Sequence, residues 1–332
     1  MRSARTRSVV VFLLLSVVIG LAAPALAGNR RHDRPDNWYL GLAEFYPSVG
    51  FVNTTTHYAS GVLIAPEWVL TAAHVCDVAE DKPTTVTFDG TAYTVDGIYR
   101  YADFDYNPWA GNDIGLFHLE STVEGIRPAT RYRGYRELGQ TAVISGYGLS
   151  GTGLQPNTIT DFRQRAGTNR VDLLLEGETE LSGLLMVDFD KPRDRTESLW
   201  DPAVPSLMEF LPSRGDSGGG LFLWGQLAGI ISFGHVEDGT ADCDYGDAVG
   251  LTRVSPFNGW IDEIIYGSEA PAGPGPWPWP WRRRFCDQDA DPAGTGLGDG
   301  EAFSFLVVPE PATIGLLAAG ALALLRRNRK RQ

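Results

Sequence analysis

The chain has 332 residues, 43% of them hydrophobic and 21% charged, the composition of a globular protein with room for one large domain or two small ones. Its formal net charge of −13 excludes nucleic acid as a partner, since that requires a cationic surface. Thirty-nine glycines and 21 prolines exclude an architecture of long helices, and the absence of an internal repeat excludes a solenoid or propeller.

At the N-terminus, Arg2, Arg5 and Arg7 precede the apolar run Val9–Leu21, and Ala25-Leu26-Ala27 supplies a small-x-small cleavage pattern. This predicts a signal peptide over residues 1–27, cut after Ala27. Its removal takes the formal charge from −13 to −16. An uncleaved membrane anchor is the alternative, and in either case the body leaves the cytoplasm. Three cysteines, Cys76, Cys243 and Cys286, allow at most one intramolecular disulfide, so stability must come mainly from a hydrophobic core.

From Asn37 to Gly267 the pattern is one of short strands punctuated by Gly, Pro, Asn and Asp. The β-type runs are Phe51-Val52, Gly61–Ile64, Trp68–Thr71, Thr85–Phe88, Thr91–Val95, Ile114–Leu119, Ala142–Ser145, Val171–Leu175, Leu184–Asp188, Gly220–Leu223 and Leu227–Ser232. Strands this short and this frequent predict an all-β sandwich or barrels. One helix is predicted, Ser255 to Ile265, capped by Ser255 with Pro256 in its first turn, and Trp260, Ile261, Ile264 and Ile265 form its docking face.

Residues 268–307 break with this pattern. Ala270–Arg284, APAGPGPWPWPWRRR, favours a semi-extended spacer, and the acidic stretch after Cys286 reads as a solvated linker. Asp287, Asp289 and Asp291 echo a calcium loop, but Pro292 and the misplaced Gly and Glu argue against one. Trp277, Trp279 and Trp281 read as spacer aromatics rather than a carbohydrate or membrane contact. Residues 308–332 then hold Pro309-Glu310-Pro311, the apolar run Ala312–Leu325 and a basic end, Arg326 to Arg331. The fourteen-residue run would cover roughly 21 Å as a helix, short of a ~30 Å hydrocarbon core unless arginines snorkel. These three parts together resemble the PEP-CTERM sorting signal. The resemblance implies an exosortase as partner, a membrane contact through the C-terminal helix before processing, and a final place in the cell envelope or outside the cell.

Three internal segments carry chemistry. In Arg214-Gly215-Asp216-Ser217-Gly218-Gly219-Gly220 a serine sits in a glycine-bounded turn, where backbone N–H groups can converge on developing negative charge. Thr71-Ala72-Ala73-His74 ends a hydrophobic strand with a potential general base. Gly111-Asn112-Asp113 sets a carboxylate before another strand, where burial would let it orient an imidazole. No His/Cys cluster has metal-ligand spacing, and neither metal nor cofactor is expected. His32, His57, His118 and His235 lack a catalytic context.

The order His74, Asp113, Ser217 resembles the chymotrypsin/trypsin-like serine proteases. So do Ser145-Gly146-Tyr147-Gly148, Ile231-Ser232-Phe233-Gly234 and Leu251-Thr252-Arg253-Val254, and the likeness spans Ser48–Ile265. It implies two antiparallel six-stranded β-barrels with a C-terminal helix in a protease domain over residues 37–267, and a peptide or protein substrate. Ser217 would be the nucleophile, His74 the base and Asp113 its orienting carboxylate. The N–H groups of Gly215 and Ser217 would form the oxyanion hole, and Ser232, Phe233 and Gly234 the substrate-binding edge. Leu211, where trypsin has its pocket aspartate, predicts cleavage after apolar or small residues unless Asp242, Asp244 or Asp247 lends a charge. The family's disulfide beside the histidine is missing. Its Ile-Val-Gly-Gly terminus, which pairs with the aspartate before the serine, is absent ahead of Tyr46, so Asp216 needs another partner. These departures keep open a weakly active or inactive protease-like surface binding protein.

Overall fold

A computed structural model describes residues 28–176, 183–200, 202–236 and 238–267, and the backbone of 302–304 and 308–309. The predicted leader, the Pro/Trp-rich spacer with Cys286, and residues 310–332 lie outside these. In chain order the elements of the first half are β1 (Gly28–Arg30), α1 (Asp36–Ala43), β2 (Val49–Asn53), β3 (His57–Ala65), β4 (Trp68–Thr71), α2 (Ala73–Ala79), β5 (Thr85–Phe88), β6 (Thr91–Arg100) and β7 (Gly115–Leu119). The second half holds β8 (Thr141–Gly146), β9 (Ser150–Thr152), β10 (Gln155–Ile159), β11 (Arg165–Arg170), β12 (Leu173–Glu176), β13 (Gly183–Asp188), β14 (Phe210–Leu211), β15 (Gly220–Leu223), β16 (Gln226–His235), β17 (Ala248–Arg253) and α3 (Asn258–Tyr266). Two short strands follow, β18 (Ala302–Ser304) and β19 (Val308–Pro309).

The first lobe closes on itself. Its strands run β3-β2-β5-β6-β7-β4, and β4 pairs back onto β3, giving a six-stranded antiparallel barrel. Val52, Val62, Leu63, Val69, Leu70, Val86, Leu116 and Phe117 are fully buried inside or at its seams. Closure removes the edges that would otherwise leave backbone donors unpaired. The second lobe is an antiparallel sheet in the order β11-β8-β15-β16-β17-β13-β12, with its own core around Leu185, Val187, Phe189, Leu221, Ile231 and Leu251.

Among the described residues the second sheet does not close by strand pairing, which departs from the two closed barrels expected from the sequence. The outer edge of β11 is taken by Met208–Phe210 instead: Thr168 N–H donates to Met208 O at 2.8 Å, and Thr168 bridges Glu209. A small third sheet, β10-β9-β1-β14, stitches Gly28–Arg30 into this lobe, so the fold includes residues ahead of Asn37.

The C-terminal helix is present, but it starts three residues later than expected, at Asn258, and Ser255 does not cap it: its hydroxyl donates to Glu137 instead. Ser255–Phe257 form a 3-10 turn containing Pro256, and α3 buries Ile261 against the first-lobe core, with Trp260 edge-on to Tyr101. Arg131 and Arg133 both donate to Asp262 on this helix. The burial that would raise the Asp262 carboxyl is outweighed by these two guanidinium bonds, which hold it below its ordinary value.

Candidate active site

The three segments singled out in the sequence meet between the lobes. β4 ends at Thr71, and His74 follows in the first turn of α2. Asp113 precedes β7, after a 3-10 turn that Gly111 ends in a left-handed conformation (φ 66°). Ser217 lies in the turn before β15 of the other lobe. His74 Nδ1 is 2.7 Å from Asp113 Oδ2, and His74 Nε2 is 2.9 Å from Ser217 Oγ. The second carboxylate oxygen, Asp113 Oδ1, accepts the backbone N–H of His74 at 2.9 Å, satisfying one of the free donors at the start of α2. His74 is 7% exposed, Asp113 3% and Ser217 0%.

Such burial penalises a lone carboxylate, yet Asp113 stays below its ordinary range. Desolvation raises it, but the attraction and hydrogen bonds of His74 and a bond from Ser232 outweigh that. Ser232 Oγ donates to Asp113 Oδ2 at 2.5 Å, and Thr252 Oγ1 donates to the Asp113 carbonyl at 2.9 Å. Ser232, named from the sequence for its backbone, thus also acts through its side chain, fixing the carboxylate that faces His74.

The nucleophile turn is gripped from the other lobe. Ser60 N–H donates to Ser217 O at 2.8 Å, Ser60 Oγ donates to Gly215 O at 3.1 Å, and Thr71 Oγ1 donates to Ser60 O at 2.9 Å. Tyr147 N–H donates to Ser60 Oγ at 2.9 Å. Sequence pattern alone does not reveal this role, although Ser60 heads the Gly61–Ile64 run. Gly218 has φ 81°, and a Cβ there would stand 2.1 Å from Thr71 Oγ1 and 2.2 Å from Ser60 O. Only glycine fits. Gly215 is also in a positive-φ conformation, at 91°, on the other side of the serine.

Asp216 has a partner set of neutral donors. Ser213 N–H (2.9 Å), Gly148 N–H (2.8 Å) and the backbone N–H of Gly28 donate to its carboxylate. The side chain is fully buried, and burial pushes it up to about 7 despite these bonds. Leu211 is 0% exposed within the second-lobe core and pairs with Asn29 of β1. Asp242, Asp244 and Asp247 bring carboxylate oxygens within 4.8 Å of one another. Burial and mutual repulsion push Asp247 up to about 8 and Asp244 up to about 6.

Cys76 and Cys243 are both buried free thiols. His32 meets the Tyr245 hydroxyl at 2.9 Å, His118 meets Asp96 at 2.5 Å, and His235 is buried against Trp109. No helix among the described residues is long and apolar enough to cross a membrane.

Two lobes with Asp113, His74 and Ser217 in contact at their junction have the arrangement of a serine hydrolase's triad, and comparison with known proteins shows what the chain is similar to. The trypsin family model matches residues 43–169, which include His74 and Asp113, and the model of the PEP-CTERM protein-sorting motif matches residues 307–330. Serine protease 1 of Rattus norvegicus is 27% identical over 228 residues, covering 64% of this chain and 82% of its own. Trypsin of Xenopus laevis is 26% identical over 268 residues, covering 76% of this chain and 98% of its own. The solved structure of HL collagenase is similar over 72% of this chain and 98% of its own, at 21% identity and a TM-score of 0.49. The chain carries a trypsin-like serine protease domain followed by a PEP-CTERM sorting motif. That motif implies export, sorting to the cell surface and processing by an exosortase.

Proposed function

We propose that the body, residues 28–267, is an endopeptidase working through an acyl-enzyme, with the domain expected over 37–267 extended by β1. The observation that carries this is the continuous relay Asp113–His74–Ser217, with links of 2.7 and 2.9 Å. Ser217 Oγ attacks the scissile carbonyl while His74 Nε2 takes its proton. The C–N bond then breaks, the amine leaves with that proton, and water repeats the sequence on the ester to free the acid. Asp113 holds the imidazole with Nδ1–H toward itself and stabilises the charge that His74 gains. The N–H groups of Gly215 and Ser217 receive the oxyanion, and the substrate backbone lies along Ser232, Phe233 and Gly234 as an added strand. The second lobe takes the place of the second barrel of a chymotrypsin-like architecture.

The pocket favours apolar or small residues. Leu211 offers no charge to Arg or Lys, and Asp247, pushed up to about 8, is mostly neutral at pH 7. Cutting the leader after Ala27 completes the catalytic body, because Gly28 is the residue whose nitrogen faces Asp216. The testing experiment is labelling with a fluorophosphonate probe. The exported chain reacts and Ser217→Ala does not; a folded, unreactive parent would instead place the chain among protease-like binding proteins.

A further inference from the structure

Two pieces of the C-terminal segment pair with the body. β18 runs antiparallel to the end of β16, with Ser304 opposite Phe233, Phe303 opposite Gly234 and Ala302 opposite His235. This edge is available because β15 pairs with β16 only as far as Ile230. β18 also lies against the 3-10 turn Pro108–Ala110, which leads into Asp113. β19 runs antiparallel to the start of β3, with Val308 opposite Tyr58 and Pro309 opposite His57.

These two edges flank the nucleophile. On one side, Gly218 N–H donates to Ile231 O at 2.9 Å, two residues before Phe233. On the other, Ser60 N–H donates to Ser217 O at 2.8 Å, two residues after Tyr58. Two stretches of the C-terminal segment, three residues apart in sequence, therefore pair with the two banks of the cleft. Backbone pairing of this kind is sequence-tolerant and is how an extended peptide adds to a sheet edge. The segment Ala302–Pro309, AFSFLVVP, is apolar apart from Ser304, the composition that the proposed pocket favours. From Gly267 the intervening residues can extend on the order of 110 Å, ample to reach either bank.

We propose that Ala302–Ser304 and Val308–Pro309 are an intramolecular occupant of the two edges of the cleft, so that the chain is latent while its tail is seated and is released when sorting draws the tail away. This rests on the protease reading of the same cleft. A tethered segment at an effective concentration of about 1 mM, with a separate-peptide Kd of about 0.1 mM, leaves roughly one cleft in ten open.

The test uses the exported full chain and the double variant Phe303→Pro, Ser304→Pro. Proline removes the backbone N–H that pairing with β16 uses. The rate of fluorophosphonate labelling at Ser217 is expected to be about tenfold higher in the variant. A synthetic peptide of residues 300–311, added to the variant, should slow labelling again, and the same peptide carrying both prolines should not. Equal labelling of parent and variant overturns the tail's role and leaves the protease reading standing. No labelling of either chain, with both folded, overturns both.

Discussion

The carboxylate of Asp216 permits a quantitative test of how the N-terminus acts. While Gly28 remains in peptide linkage, this buried group is hydrogen-bonded by neutral N–H groups of Ser213, Gly148 and Gly28, and burial outweighs these bonds and the attraction of Arg165, pushing its carboxyl up to about 7. An unfolded aspartate titrates near 3.9. The folded chain therefore binds the extra proton between about pH 4 and pH 7. Its contribution to stability is full below pH 4 and is lost as the pH rises through 7. Three pH units at about 1.4 kcal/mol each give a loss of about 4 kcal/mol. Cutting after Ala27 turns the Gly28 donor into an ammonium, which pairs with the ionised carboxylate and cancels most of that loss. The comparison is between a chain starting at Gly28 and one retaining Ala25–Ala27, by denaturant unfolding at pH 5 and pH 8. Other raised carboxyls, such as Glu209 at about 8, act equally on both chains and drop out of the difference. Over this interval, which covers about two of the three units, the retained chain should lose about 3 kcal/mol more than the cut chain, and Asp216→Asn should abolish the difference. Equal slopes would refute the reasoning.

Asp113→Asn should lower kcat by about 10⁴ with the fold intact, measured on a peptide ester, because the imidazole loses its orienting acceptor. Ser60→Ala removes the hydroxyl that Gly215 O and Tyr147 N–H share, and should lower kcat more than it raises KM, since the nucleophile turn loses its clamp. Gly218→Ala should abolish labelling, read with the same fluorophosphonate probe, as its methyl group would overlap Thr71 and Ser60. A peptide-library profile should favour apolar or small residues at the cleaved position; dominance of Arg or Lys would refute the pocket assignment. Asp172, driven up to about 8 by burial and then by the nearby Asp188, should make Asp172→Asn raise the melting temperature at pH 8 more than at pH 4.

The site was legible because its three segments each carry a local requirement. Glycines bound a serine in a crowded turn, a histidine follows a buried strand, and an aspartate precedes one. β4, β5 and β15 match their predicted bounds, because their apolar residues alternate or run between clear turn residues. β11, RAGTNR, was not legible: it is polar in sequence yet buried, since Arg165 is fully enclosed and forks onto Asp36 of α1 with two bonds of 2.8 Å. No periodicity encodes a partner 129 positions away. α2 carries no local start signal: Asp113 accepts the His74 N–H in its first turn, a tertiary contact. The three residues of β1, Gly28–Arg30, hold no pattern; their order comes from pairing with β9 and β14.

The two buried thiols have a consequence for handling the protein. Cys76 and Cys243 are each sealed in a core, and burial, followed by neighbouring carboxylates, keeps both far above the ordinary thiol range. Thiolate, the form that attacks oxidants and alkylating agents, is scarce at either position. Among the described residues, then, the body is cross-linked by nothing that glutathione or dithiothreitol can undo.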